Sequence, residues 1–214
     1  MALVSPHGSE KVLTSVMLTG KELEDEKKRA ESLPKLQVSD REAGDLLMMG
    51  MGAFSPLTGF MGRDDYEGCL DEMKLRKSDP GVLWPLPVTF AVDKLTFKEG
   101  EVALCHGDSL LAVMTVEEVY EPNKERECEC SFMGQGSYNR DEFWMVARDE
   151  HPGVREVLGS GKYYVGGPVR TLYEGTFAED YENAYRPEDA RRLFEERGWS
   201  TVAAFQTRNP MHRS

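Results

Sequence analysis

Nine consecutive residues near the end of the chain concentrate groups that can hold an anion: Gln206, Thr207, Arg208, Asn209, Pro210, Met211, His212, Arg213 and Ser214. None of them is acidic, although the 214-residue chain carries 38 acidic side chains against 26 basic ones, a net charge of −12. Arg208 can grip an oxyanion through two parallel N–H donors. Gln206 adds neutral donors. Asn209 suits an N-cap and Pro210 a first helical position, so a helix is expected to begin there. Its free N–H groups and positive dipole end would form an anion site, with His212 in reach of a phosphate oxygen. Read on spacing alone, the same residues also suit an ordinary strand–loop–helix junction with a surface arginine.

The element before this run must aim it. Thr201–Phe205 (TVAAF) reads as a compact apolar strand of the buried, parallel type, and open α/β sheets place ligands at the carboxyl ends of such strands. Ahead of it a helix is expected from Pro187, with Glu188 and Asp189 in the first turn. Ala190, Leu193, Phe194 and Arg197 share one face of that helix, and Gly198 stops it. Val169–Leu172 suits a short strand.

Upstream, Thr19–Leu33 reads as an exposed helix laced with pairs such as Glu24/Lys28 and Asp25/Arg29, and ended by Pro34. A second helix starts at Ser39 and includes Arg41–Met49. From Trp84 to Tyr120 the texture is β-rich, with strands expected over Val88–Val92, Glu101–His106 and, after a Gly107-Asp108 turn, Leu110–Tyr120. Asn139–Arg148 and Gly153–Leu158 are helix candidates. The breaker-rich stretch from Gly159 to Pro168 is taken as a domain boundary.

Other signals carry less. Gly161-Lys162 lacks the earlier glycine of a phosphate-binding P-loop, and the G-x-G spacings at 134/136 and 159/161 lack the third glycine of a dinucleotide fingerprint. His106 reads as a turn histidine and His151 as a local cap. Trp84, Trp144 and Trp199 read as core or interface residues. The spacing of Cys128 and Cys130 would put both thiols on one face of a strand. With Cys69 and Cys105 they suit free thiols in a reducing compartment better than a zinc site. So acidic a chain repels nucleic acid and anionic membrane. No secretory signal begins it, and no stretch is apolar enough to span a bilayer, so a cytoplasmic protein is expected.

The run FQTRNPMH resembles the motif of ATP sulfurylases (sulfate adenylyltransferases). The likeness extends through RPEDARRLFEERGWSTVAAFQTRNPMHRS and, upstream, through GAFSPLTGFMGRDDY, LWPLPVTFAV and YYVGGPV. The resemblance implies a mixed α/β and α+β chain. A PUA-like β-rich N-terminal domain (1–168) would precede the start of a Rossmann-like nucleotidyltransferase domain (169–214). It implies that Gln206 and Arg208 hold sulfate and that Thr207, Arg208 and Asn209 form the catalytic core. Gln206, Thr207, Arg208, Asn209 and His212 would meet the nucleotide. His212 matches the first histidine of an H-x-x-H signature whose second would fall at position 215. The implied substrates are ATP and sulfate, or adenosine 5′-phosphosulfate and pyrophosphate, with Mg2+ carried by ATP, no protein-bound metal, and a homodimeric assembly. A helix from Pro210 would be cut after about one turn, so the 214 residues are expected to be part of a longer protein. The alternatives are a non-catalytic fragment, a PUA-like RNA-binding module, and the sulfurylase half of an enzyme that also carries a kinase.

Overall fold

A computed structural model of the chain describes residues 5–7, 13–97, 100–133, 139–141, 143–144, 150–172 and 185–205. Helix α1 (Gly20–Ala30) puts Glu22 in its first turn and Lys27, Lys28 and Arg29 in its last, each charge complementing the helix dipole. Strand β1 (Lys35–Gln37) follows Pro34. Helix α2 (Asp40–Gly50) opens on a capping box: the Ser39 N–H donates to Glu42 Oε2 at 2.8 Å, and the Glu42 N–H donates to Ser39 Oγ at 3.3 Å.

Next come β2 (Gly59–Phe60), α3 (Arg63–Glu72), β3 (Phe90–Val92), β4 (Gly100–His106) and β5 (Ser109–Val116). They are followed by β6 (Glu118–Tyr120), α4 (Lys124–Phe132), α5 (Pro152–Gly159), β7 (Tyr163–Thr171) and α6 (Pro187–Glu196). The expected turn joins β4 to β5, where Gly107 takes the left-handed φ of 57° that the reversal requires. Residues 140–141 and 143–144 are helical, within the helix expected over 139–148.

The seven strands form one sheet in the order β1-β4-β5-β7-β2, with β3 and β6 also paired to β7. Strand β1 runs parallel to β4, while β5, β2, β3 and β6 all run antiparallel to β7. The sheet therefore curls around β7, and the main core fills the curl: Phe60, Phe90, Val102, Leu104, Met114, Tyr164 and Val165 are all buried.

The fold departs from the sequence expectations in three places. The stretch from Gly159 to Pro168 is not a run of breakers throughout, because from Tyr163 onward it is the strand on which the sheet is built. Within the strand, Gly166 and Gly167 serve close backbone approach rather than a break. A Cβ on Gly166 would lie 2.6 Å from Gly62 Cα, and one on Gly59 would lie 2.0 Å from the Gly167 carbonyl oxygen. The Met61 N–H also donates to the Val88 carbonyl at 2.9 Å. The three upstream stretches that resemble ATP sulfurylases thus interlock with one another, so their residue types answer to packing.

The second correction concerns Cys128 and Cys130, which lie on helix α4 rather than on a strand. Asn123 caps that helix, accepting from the Arg126 N–H at 3.0 Å. Two residues apart on a helix point to different faces, so Cys128 is buried and Cys130 exposed. All four cysteines are free.

The third is Thr201–Phe205, which forms no strand and is exposed throughout, Phe205 by 81%. A buried parallel strand needs partners on both sides, and among the described residues none pairs with it.

Candidate functional site

The approach to the run expected to bind an anion is built as its own residues require. Pro187 begins α6 with Glu188 and Asp189 in the first turn. Gly198, with φ of 65°, ends it by donating its N–H to Glu195 at 2.9 Å. The chain then folds back on the helix: Phe194 and Trp199 stack with ring centres 6.0 Å apart, and the Arg197 guanidinium lies 4.9 Å from the Trp199 ring centre. This closed end fixes where residues 200–205 depart. The predicted site residues Gln206, Thr207, Arg208, Asn209 and His212 lie outside the described residues.

Between α6 and the N-terminal part runs an open cleft of about 580 Å³. Leu13, Met17, Gly50 and Met51 form one wall. The other carries Arg186, Arg191 and Arg192 with Glu188 and Glu195. Arginines and glutamates are interleaved on that wall, so charges of both signs face the cleft. Arg192 also pairs with Asp189 at 2.7 Å.

A second constellation was not legible in sequence. Glu127 of α4 is buried, and its Oε2 accepts the Tyr66 hydroxyl at 3.1 Å and the Tyr164 hydroxyl at 3.0 Å. Burial raises the Glu127 carboxyl above the usual range, while the two hydroxyl donors oppose the shift by stabilising the carboxylate. Tyr120 completes the group, its ring centre 5.6 Å from that of Tyr66 and 5.9 Å from that of Tyr164. Burial pushes all three tyrosines upward. The only local hint was a glutamate in an otherwise ordinary helix; its partners lie 37 and 61 residues away.

The two histidines have structural places. His106 Nε2 lies 2.7 Å from Asp40 Oδ1, and His151 caps α5 by accepting the Val154 N–H at 3.3 Å. Among the described residues no group of three or more His, Cys, Asp or Glu side chains converges to hold a metal ion. No described helix is long and apolar enough to cross a membrane.

Residues 4–174 match the PUA-like domain family, and residues 182–214 match the ATP-sulfurylase family. A sulfate adenylyltransferase from Desulfatibacillum aliphaticivorans is 46% identical over 222 residues, covering 99% of this chain and 51% of its own length. One from Chlorobium chlorochromatii is 43% identical, covering 100% of this chain and 51% of its own length. The chain thus spans about half the length of the curated relatives it matches. Among solved structures, the hexameric APS kinase from Thiobacillus denitrificans aligns with a TM-score of 0.69 at 25% identity. That alignment covers 99% of this chain and 35% of the other.

Proposed function

The chain belongs to the PUA-like domain family through residues 4–174 and is homologous along its length to sulfate adenylyltransferases, and from that premise we propose that its protein joins ATP and sulfate into adenosine 5′-phosphosulfate and pyrophosphate. The observation that carries the reading is the 46% identity running over 99% of the chain, alongside the ATP-sulfurylase family match over residues 182–214.

In the proposed reaction a sulfate oxygen attacks the α-phosphorus of ATP in line. The new S–O–P link forms as the bond from the α-phosphorus to the bridging oxygen breaks, and that oxygen leaves on pyrophosphate with the electron pair. Sulfate is a weak nucleophile that arrives already deprotonated, so a general base has little to do. Rate enhancement must come from holding two mutually repelling anions together and from neutralising charge on the leaving group. Arg208 and Gln206 hold sulfate in this reading. Thr207 completes the reacting core, and Asn209 and His212 steady the nucleotide phosphates. Magnesium carried by ATP would help neutralise charge on the phosphates. The catalytic part begins after β7, and the protein works in the cytoplasm as a homodimer.

The test is ATP formation from adenosine 5′-phosphosulfate and pyrophosphate by the full-length protein. Production of ATP that depends on both substrates supports the assignment, and its absence from correctly folded protein overturns it. A second reading, that a kinase acting on the product shares the same chain, draws on the likeness to the APS kinase. It requires phosphorylation of adenosine 5′-phosphosulfate by that full-length protein.

A further inference from the structure

The stretch leading into α1 alternates between two sides. Val16 packs against the main core, and Leu18 against the smaller cluster of Ala30, Ala103, Val113 and Leu172. Leu13, Ser15, Met17 and Thr19 instead line the cleft opposite α6. Such a period of two is that of a strand with one face on a core and the other turned outward. Across the cleft stand Glu188, Arg191, Arg192 and Glu195, spaced so that they form one charged face of α6.

Hydrogen bonds hold this stretch at three points. Thr171, at the end of β7 and only 1% exposed, donates its N–H to the Val16 carbonyl at 2.9 Å and its hydroxyl to the same oxygen at 3.3 Å. The Thr171 carbonyl accepts the Leu18 N–H at 3.0 Å. Ser15 Oγ donates to the Gly50 carbonyl at 2.6 Å. The buried Ser55 accepts the Thr14 N–H at 2.8 Å and donates to the Gly52 carbonyl at 2.6 Å. The packing is close as well: a Cβ on Gly50 would stand 2.8 Å from Thr171 Oγ1 and 3.3 Å from the end of the Met17 side chain.

We propose that residues 13–18 are a strap that positions the catalytic part of the protein, with Ser15 and Ser55 as its positioning residues. The proposal rests on the reaction given above and adds a part to it. Strand β7 ends at Thr171 and the match to the ATP-sulfurylase family begins at residue 182, so the strap grips the chain where the PUA-like part hands over to the next. The strap also supplies the wall that α6 faces. Neither role needs contact with substrate. A displacement of about 1 Å far from the reacting atoms can cost roughly a hundredfold in rate, so a few hydrogen bonds at this junction are enough to act on turnover.

The experiment measures position directly. The full-length protein carrying Cys130→Ser receives spin labels at Lys28→Cys on α1 and Glu196→Cys on α6, both exposed positions, and pulsed electron paramagnetic resonance reads the distance between them. One narrow distribution is expected. Ser55→Ala takes the partner from the Thr14 N–H and should broaden it. Ser15→Ala alters an exposed residue, so it should fold even where Ser55→Ala does not; it should broaden the distribution too, and Ser15→Thr should restore it. Without labels or the cysteine changes, Ser15→Ala should lower kcat about fivefold and leave KM unchanged. A broad distribution before the serine changes, or the same narrow one after them, would overturn the strap. So would an unchanged kcat beside a lower unfolding midpoint, which is what a merely structural role gives. Wild-type protein that makes no ATP would remove the reaction and leave the distances to decide the strap.

Discussion

Glu26 on α1 and Arg170 on β7 meet at 2.8 Å although 144 residues separate them. Arg29 and Glu101 complete the cluster, each arginine bonding both glutamates, so α1 is tied to β4 and β7 at once. Such a network holds its side chains at lower entropic cost than an isolated surface pair.

Arg170→Met should therefore destabilise the fold by about 1–2 kcal/mol, read as a lower urea midpoint, because it leaves two glutamates facing a single arginine. The effect depends on pH. Hydrogen bonds from Arg29, and then those and the charge of Arg170, hold the Glu26 carboxyl down at about 2. A carboxyl lower in the folded than in the unfolded chain contributes stability that is complete above its unfolded value near 4.5. That contribution disappears as pH falls through the folded value. The wild type and Arg170→Met should converge between about pH 5 and pH 2. A gap that persists unchanged to pH 2 would refute this account.

The glycine crossings predict opposite signs for one chemical change. Gly167 has φ of 150°, and a Cβ there would lie 2.0 Å from the Thr115 carbonyl oxygen, backbone against backbone. Gly167→Ala should cost more than about 3 kcal/mol or prevent folding. Gly44 lies inside α2 with nothing within 4 Å of its would-be Cβ. Gly44→Ala should stabilise by about 0.5–1 kcal/mol. Thermal unfolding of the two variants checks both signs.

Ser39→Ala removes half of the capping box of α2 and should cost about 1 kcal/mol. Because α2 packs on β7 and its Glu42 also accepts the Ala91 N–H at 2.9 Å, early local opening of 40–50 should accompany the loss. Hydrogen exchange on α2 amides would show it; equal protection in wild type and variant would count against the cap.

Thiol labelling should be selective in the native protein. Burial pushes Cys69 up to about 12 and Cys128 to about 11, and it raises Cys105 as well. Cys130 is exposed. An aromatic disulfide reagent followed by peptide mass mapping should mark Cys130 rapidly and the other three only after unfolding. Rapid native labelling of Cys69 would contradict its burial.

In the proposed active site, Arg208→Ala should remove nearly all turnover, at least a hundredfold in kcat, with an unchanged unfolding midpoint. Arg208→Lys should rescue little, because a point charge cannot replace a two-pronged grip on sulfate. Near-normal sulfate-dependent activity in Arg208→Ala would remove that residue from its role.

Much of this protein is set by short-range chemistry and is readable without coordinates. Ser39 with Glu42, Pro187 and Gly198 mark helix ends because caps act over three or four residues. Gly107 marks the β4–β5 reversal for the same reason. The acid-free run from Gln206 to Ser214 is likewise a property of sequence, visible without help from the fold. Tertiary structure decided whatever depends on distant partners. The apolar TVAAF segment is exposed because no strand among the described residues lies beside it, and its own composition cannot say whether one will. Gly166 and Gly167 look like breakers until Gly62 and β2 cross them. Cys128 and Cys130 part company only once Asn123 caps a helix. Glu127 finds its tyrosines, and Glu26 its arginine, across separations that no local pattern spans, since it is the curl of the sheet around β7 that brings them together.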